Sequence, residues 1–144
     1  MKILFLIILL FAIPARGATL DEIRHLTATI YGESRGEPYK GKLAVAWVIL
    51  NRGGDLISTV TKPKQFSAWN YNDPNRFMVE KIALQGNMGD NVTKECLRAA
   101  LEALENSVDP TGGANHYHAV GVKPYWTKGK TPIAIIGNHV FYKL

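Results

Sequence analysis

The carboxyl group best placed for acid–base chemistry in this sequence is that of Glu33. It follows Ile30 by three residues and Leu26 by seven, so it continues the apolar stripe of a predicted helix, and Gly32 and Gly36 should make the chain flexible there. Burial raises the pKa of a carboxyl group, because surroundings of low polarity disfavour the charged form. Glycosidic bonds are cleaved by an acid that is still protonated near neutral pH. Glu33 fits that requirement, although spacing alone leaves a solvated surface glutamate as the alternative.

A second acid is the usual requirement for glycoside hydrolysis, which in most glycosidases uses two carboxyl groups. Glu37 precedes Pro38 and fits a cap or a charge at the N-terminus of the next helix. Four aspartates lie beside Gly, Pro or Asn, where an aspartate more often caps a helix or closes a turn: Asp55, Asp73, Asp90 and Asp109. No partner for Glu33 stands out. This favours chemistry with one carboxyl group and keeps two-acid hydrolysis as its rival.

Histidines raise the possibility of metal chemistry. His116 and His118 share one face of a predicted strand and His139 falls in another, so a zinc site beside Glu33, as in a zinc-dependent amidase, is conceivable. Two alternating histidines are weak evidence, however, and the helical His-Glu-x-x-His pattern is absent. We therefore expect no metal and no cofactor, and we expect one histidine to hydrogen-bond sugar or backbone.

Several helices and two strands must position these groups. Thr19 and Glu22 form a capping box ahead of the first apolar stripe. Further helices are predicted at 38–50, from Asp73 to about Gln85 and at 93–106, with a long loop at 62–75 and alternating strands at 115–120 and 138–143. The pattern predicts a mainly helical α+β domain with a small β-ribbon. The single cysteine, Cys96, excludes an internal disulfide and is expected to be a buried, unreactive thiol.

The N-terminal residues 1–17 match the layout of a secretory signal peptide, with cleavage expected after Gly17. The apolar run at 3–13 is too short to span a bilayer comfortably, since about 20 residues are needed, so membrane contact is expected only through an uncleaved leader. Residues 18–144 then form one catalytic domain. Removing the two basic residues of the leader lowers the net charge from +5 to +3. The remaining cations are scattered, so no nucleic-acid partner is expected.

Five ordered segments carry a resemblance to a known family. The first, residues 30–52, contains a Gly-Glu-x-Arg-Gly-Glu pattern and an apolar run that ends in Asn51-Arg52. It resembles the opening signature of the cell wall hydrolases related to spore cortex-lytic enzymes (SleB/CwlJ-like). The later segments, in the same order as in the family, are 65–67 (QFS), 109–118 (DPTGGANHYH), 124–126 (PYW) and 136–142 (IGNHVFY). Ordered segments at family spacing are more specific than any single motif.

The resemblance implies a lysozyme-like domain, akin to lytic transglycosylases, that cleaves peptidoglycan between N-acetylmuramic acid and N-acetylglucosamine. Glu33 would act first as acid and then as base, without a second carboxyl group. Hydrolytic muramidase action stays the close rival, ahead of a metal-dependent amidase or a non-catalytic wall-binding module. The sequence differs from the family's commonest motif at Ser34, where Ala is usual, and at Asn115, where Thr is frequent.

Sugar is bound by aromatic faces and by amide or hydroxyl groups, which loops and strand ends can supply. The residues expected to bind it are Gln65, Ser67, Trp69, Tyr117, His118 and Trp126, and the resemblance strengthens Gln65, Ser67 and Tyr117 most. Phe66 is expected to be a core residue that holds its loop. The predicted partner is the peptidoglycan glycan strand. The protein is expected to be a monomer, exported to the periplasm, cell wall or extracellular space.

Overall fold

The computed structural model describes residues 17–86 and 89–144. The predicted leader, residues 1–17, lies outside the described residues apart from Gly17. Within the described part of the chain, no helix is both long and apolar enough to cross a membrane.

The first helix, α1 (Leu20–Ser34), begins with the predicted capping box. Thr19 Oγ1 accepts the N–H of Glu22 at 3.1 Å, and Glu22 Oε2 accepts the N–H of Thr19 at 2.7 Å, so two donors of the first turn are satisfied. The apolar stripe is confirmed, because Leu26 and Ile30 are fully buried. Glu33 therefore lies in the last turn of a helix that the core holds in place.

Four more helices follow: α2 (Tyr39–Asn51), α3 (Leu56–Thr61), α4 (Arg76–Gln85) and α5 (Asn91–Leu104). The central position predicted for α2 is confirmed, because eight of its 13 residues are buried. The short α3 was missed by the sequence analysis. Two predicted starts are corrected. Helix α4 begins three residues after Asp73, since residues 70–76 form turns, and α5 begins two residues before Thr93, since Asp90 caps it.

The predicted β-ribbon is confirmed and gains a third strand. Strands β1 (His116–Ala119), β2 (Ala134–Ile136) and β3 (His139–Tyr142) form an antiparallel sheet in the order β1-β3-β2. Tyr117 lies opposite Phe141, and both contact the core beside α2. His116 and His118 point to the other face, as their alternation predicts.

The core lies where α1, α2 and α5 meet. Cys96 on α5 is fully buried, as expected, and burial raises the pKa of its thiol to about 12, so the thiol stays protonated and unreactive. Phe66 is 2% exposed, which confirms its predicted place in the core. It carries the segment that follows, the 3-10 turn Ser67–Trp69, onto the surface of α1.

Candidate active site

The Glu33 carboxyl group is held from two sides by segments distant in sequence. Tyr117 on β1 donates its hydroxyl hydrogen to Oε2 at 2.6 Å. On the other side, Oε1 accepts the backbone N–H of Ala68 at 3.2 Å, and the Ser67 hydroxyl lies at 3.5 Å from the same oxygen. The carboxyl group is half-buried and opens onto a shallow cavity lined by residues 32–37. Its position is therefore set by three groups, while solvent can still reach the site.

Gly32 permits this arrangement by its lack of a side chain. A Cβ atom there would lie 2.4 Å from Cβ of Ala68 and 2.8 Å from Cγ1 of Val79, closer than real Cβ contacts. The expectation that Gly32 makes the chain flexible is wrong, because the residue lies inside α1 and allows close packing of the Ser67–Trp69 turn. The same contact brings the N–H of Ala68 to Glu33.

Tyr117 is positioned by its strand. Its ring packs against Phe141 at 5.7 Å and edge-on against His139 at 4.8 Å between ring centroids. Burial first, then the negative charge of Glu33 and the hydrogen bond to it, raises the pKa of Tyr117 well above its ordinary value. The hydroxyl group therefore keeps its proton at every pH at which the protein would work, and can donate it to the Glu33 carboxylate.

Trp69 packs against α1. Its Nε1 donates to Oγ1 of Thr29 at 2.9 Å, and its ring stacks on His25 with centroids 5.6 Å apart. The indole is half-buried between α1 and α4. Its contacts are those of a side chain that anchors the Ser67–Trp69 turn.

Of the six residues expected to bind sugar, the structure brings Ser67 and Tyr117 into contact with Glu33. Gln65 is exposed and accepts a hydrogen bond from Nη1 of Arg52 at 3.2 Å. His118 and Trp126 lie on the opposite face of the sheet from Tyr117, with ring centroids 5.8 Å apart. They belong to an aromatic cluster made of His116, His118, Trp126 and Tyr142.

Glu37 has a different role from the predicted helix cap. Helix α2 has Pro38 as its N-cap and no side-chain capping bond, and Oε2 of Glu37 instead accepts the N–H of Asn138 at 3.0 Å. Gly137 faces it so closely that a Cβ atom there would lie 2.0 Å from that oxygen. Glu37 thus fastens the turn between β2 and β3, and it also lines the cavity that contains Glu33.

The four aspartates have the structural roles predicted for them. Each accepts backbone N–H groups of its own helix start or turn: Asp55 from Ser58, Asp73 from Asn75, Asp90 from Thr93, and Asp109 from Thr111 and Gly113. Burial alone would raise the pKa of Asp109, but hydrogen bonds from Asn51, Thr111 and Gly113 outweigh it and lower that pKa.

Two further groups lie near Glu33 that the sequence analysis named without these roles: Arg52 as the end of a family segment, and His139 as a possible metal ligand. Arg52 ends α2 and reaches the loop of Gln65, and its charge acts on Tyr117. His139 is 8% exposed, and its Nδ1 has no hydrogen-bond partner among the described residues. Burial lowers the pKa of His139, against the opposing effect of Glu37 and Glu33. Both residues lie in the segments that carry the family resemblance, which was the available signal.

The possible metal ligands do not converge in the described part of the chain. Between residues 17 and 86 and from 89 to 144, no group of three or more His, Cys, Asp or Glu side chains could hold a metal ion. His116 and His118 are instead in contact with Trp126.

Fold and site together define a mainly helical α+β domain with one carboxyl group held at the rim of a cavity. The family model described as Cell Wall Hydrolase matches residues 36–142, a segment that includes Ser67 and Tyr117 and begins after Glu33. The chain therefore belongs to the cell wall hydrolase family, a family of enzymes.

Named relatives agree with this membership. The chain is 35% identical over 130 residues to a spore cortex-lytic enzyme of Halalkalibacterium halodurans, covering 90% of this chain and 36% of the relative. It is 34% identical over 130 residues to a spore cortex-lytic enzyme of Bacillus cereus, covering 88% of this chain and 46% of the relative. The chain thus spans less than half the length of these curated relatives.

Two solved structures share the fold. The catalytic domain of the Bacillus cereus SleB protein superposes with a TM-score of 0.68 at 32% identity, covering 89% of this chain and 94% of that one. The catalytic domain of the germination-specific lytic transglycosylase SleB from Bacillus anthracis gives a TM-score of 0.69 at 31% identity, covering 89% and 98%. The expected lysozyme-like α+β fold is confirmed.

Proposed function

We propose that this protein cleaves the glycan strands of peptidoglycan between N-acetylmuramic acid and N-acetylglucosamine, by the lytic transglycosylase route with Glu33 as acid and base. The observation that carries the proposal is the Glu33 carboxyl group, fixed by Tyr117 and Ala68 and open to a cavity. Membership of the cell wall hydrolase family and the likeness to a lytic transglycosylase domain support the substrate and the reaction.

In the proposed reaction, protonated Glu33 donates its proton to the glycosidic oxygen as the bond from that oxygen to C1 of the muramic acid breaks. The resulting carboxylate accepts the proton of the muramoyl O6 hydroxyl while O6 bonds to C1 and closes a 1,6-anhydro ring. Glu33 ends protonated, as it began, and no water is consumed. One carboxyl group therefore completes the cycle.

Tyr117 suits this cycle because a phenol hydroxyl group can donate to a carboxylate and accept from a carboxylic acid. The backbone N–H of Ala68 is a fixed donor that stabilises the carboxylate formed midway. Together they hold the carboxyl group in one orientation through both proton transfers. Less conformational freedom is then lost on reaching the transition state, which lowers the barrier.

Hydrolysis by a muramidase route is the second candidate, and Glu37 is the observation in its favour. This carboxylate lines the same cavity as Glu33 and is therefore a candidate for the second acid. Its Oε2 already accepts the N–H of Asn138, and the four aspartates are occupied with turns and caps. The one-acid route needs no release of any of these contacts.

Mass spectrometry of the products from purified peptidoglycan tests the reaction. Transglycosylation yields anhydro ends, which are lighter by one water and resist borohydride reduction, whereas hydrolysis yields reducible ends. Glu33→Gln should lower the rate about a hundredfold or more, since acid–base catalysis contributes that much. Glu105→Gln, at an exposed position after α5, is the matched control and should cleave normally. Reducible ends from the wild type would refute the transglycosylase route.

The same variant separates an enzyme from a binding module. Glu33→Gln should still bind insoluble wall, because the change keeps the size of the side chain, but should no longer solubilise it. Normal solubilisation by this variant would leave Glu33 without a catalytic role. An amidase would instead release free amino groups and lose activity with a chelator, and we expect neither.

We also propose that the protein is exported, with cleavage of its leader after Gly17. N-terminal sequencing of the protein recovered outside the cytoplasm should read from Ala18. A protein recovered there that still begins at Met1 would show that the leader remains as an anchor.

A further inference from the structure

A second cavity, of about 330 Å³ and open to solvent, adjoins the candidate active site. It lies between the end of α2, the loop before Ser67 and the start of β1. Its lining includes two cations, Arg52 and Lys62, and none of the described residues around it is an acid. Two other lining residues are close in sequence to residues that contact Glu33. Gln65 comes two residues before Ser67, and His116 comes one residue before Tyr117. The charge of Glu33 acts on Arg52, so a ligand in this cavity would lie near the Glu33 carboxyl group.

Arg52 presents an unused donor group to this cavity. Its Nε donates to the carbonyl oxygen of Asn115 at 2.9 Å and its Nη1 to Oε1 of Gln65 at 3.2 Å. Nη2 has no hydrogen-bond partner among the described residues and is not fully buried, and Arg52 is part of the cavity lining. In the described part of the chain, Arg52 makes no ion pair.

A half-buried guanidinium group that makes no ion pair is unfavourable, because it has lost part of its hydration, and the negative charge of nearby Glu33 offsets only part of that cost. The carboxyl-terminal end of α2 and the face of Phe66, 4.4 Å from the guanidinium carbon, offset part of this cost. Neither of them uses Nη2. The planar arrangement of the remaining donors matches a carboxylate, which arginine binds through two parallel hydrogen bonds.

His116 adds a hydrogen-bond acceptor beside the cation. Oδ1 of Asn115 accepts the N–H of Leu144 at 2.9 Å, so the nearby Nδ1 of His116, at 2.9 Å from the same oxygen, must carry a proton and donate it. Burial, then the charge of Arg52, lowers the pKa of His116, so its ring is neutral at pH 7. Nε2 is then an acceptor. A cation next to an acceptor suits a carboxylate next to an amide N–H.

We propose that this cavity binds a carboxylate carried by the muramic acid residue of the substrate, with Arg52 as its charged partner. The inference rests on the proposed function, since it names a group of that substrate. Two groups can supply the carboxylate: the peptide stem, or a lactyl group from which the stem has been removed. The acceptor on His116 favours the stem, because its amide N–H groups lie close to its carboxylates.

Steady-state cleavage of three soluble glycan strands tests the proposal. The first strand carries peptide stems with free carboxylates, the second carries the same stems with the carboxylates converted to amides, and the third has no stems and bare lactyl carboxylates. The variants are Arg52→Gln, which removes the charge, Arg52→Lys, which keeps it, and Lys94→Gln, a matched loss of charge at an exposed position on α5. Thermal unfolding is measured for each variant.

On the first strand, Arg52→Gln should raise KM about tenfold or more, as expected for a lost hydrogen bond to a charged group, while Lys94→Gln changes nothing. Arg52→Lys should recover part of the loss. On amidated stems the wild type and Arg52→Gln should have the same KM. On the third strand the effect of Arg52→Gln should disappear if the stem supplies the carboxylate and persist if the lactyl group does.

If Arg52→Gln raised KM equally on strands with free and with amidated stems, the proposal would be overturned. Arg52 would then only hold Gln65 and Asn115 in place. Failure of the proposed function looks different, because the wild type would then cleave none of the three strands. A variant that unfolds is replaced in this comparison by Lys62→Gln, which removes the exposed cation of the same cavity and should give a smaller effect with the same dependence on free carboxylates.

Discussion

The two faces of the three-stranded sheet carry similar residues and have different roles. The inner face, which bears Tyr117, His139 and Phe141, packs beside α2 and delivers one hydroxyl group to Glu33. The outer face bears His116, His118 and Tyr142 under the ring of Trp126. Aromatic and imidazole side chains therefore occur on both faces. The contacts that a face makes with the helices, and not its composition, decide whether it reaches Glu33.

The largest difference between the faces should appear in stability. Phe141 on the inner face is fully buried, so Phe141→Ala should lower the free energy of unfolding by about 3–5 kcal/mol through lost burial and a cavity. Ile135, opposite Val140, is 68% exposed, so Ile135→Ala should change it by about 0.5 kcal/mol or less. Denaturant titration measures both, and equal losses would remove the distinction between the faces.

The same substitution, Tyr to Phe, made once on each face compares what the two faces contribute to kcat. Tyr117→Phe keeps the ring and removes the hydrogen bond to Glu33, so kcat should fall about tenfold to a hundredfold with little change in KM. Tyr142→Phe removes a hydrogen bond to Nε2 of His118 at 3.2 Å and should leave kcat close to that of the wild type. Steady-state kinetics on one peptidoglycan preparation decides between them. If Tyr142→Phe slowed the reaction as much, the outer face would also be catalytic.

Trp126 is the largest aromatic group on the outer face and one of the residues predicted to bind sugar. If its ring binds sugar, as proposed from its type, Trp126→Ala should raise KM about two- to tenfold and preserve kcat, since an aromatic contact contributes about 0.5–1.5 kcal/mol. The measurement pairs kinetics with thermal unfolding. An unchanged KM together with lower stability would show that Trp126 only covers His116, His118 and Tyr142.

The smallest effect concerns the pH dependence of stability. Burial lowers the pKa of His139 below the unfolded value of about 6.5, so the unfolded chain binds the proton more readily, and stability is lost as the pH falls through and below that value. His139→Phe should make the slope of the unfolding free energy against pH shallower, by an amount that corresponds to less than one bound proton. Urea titrations between pH 7 and pH 5 compare the slopes. The pKa of His116 on the outer face is also lowered, so His116→Phe is the matched variant. If either variant made the slope of the unfolding free energy against pH steeper, the lowered pKa of that histidine would be contradicted.

Much of the fold could be predicted because its signals are local. The capping box at Thr19, the apolar stripe that buries Ile30 and the structural roles of four aspartates depend on residues within one or two turns. Helix α3 and strand β2 were missed because six and three residues are too few to show a period. The start of α4 was placed too early because turns around Asp73 compete with the helix.

The surroundings of Glu33 could be predicted only in part. Ser67, Tyr117 and Trp69 were all predicted to bind sugar; the first two contact the carboxyl group, whereas the indole of Trp69 bonds to Thr29. The sequence analysis placed Arg52 in a family motif but predicted no role for it. A side chain's type states what it can bind, whereas its partner depends on which distant segment folds against it.

The sequence by itself determined that one glutamate ends the buried stripe of the first helix, and that the ordered segments resemble one family of cell wall hydrolases. Only the tertiary structure decided that Tyr117 and Ala68 hold this carboxyl group, and that Glu37 fastens a turn instead of capping a helix. The reason is physical. Periodicity reports one face of one element, but the hydrogen bonds of Glu33 join residues 35 and 84 positions apart, and their meeting depends on packing such as that at Gly32.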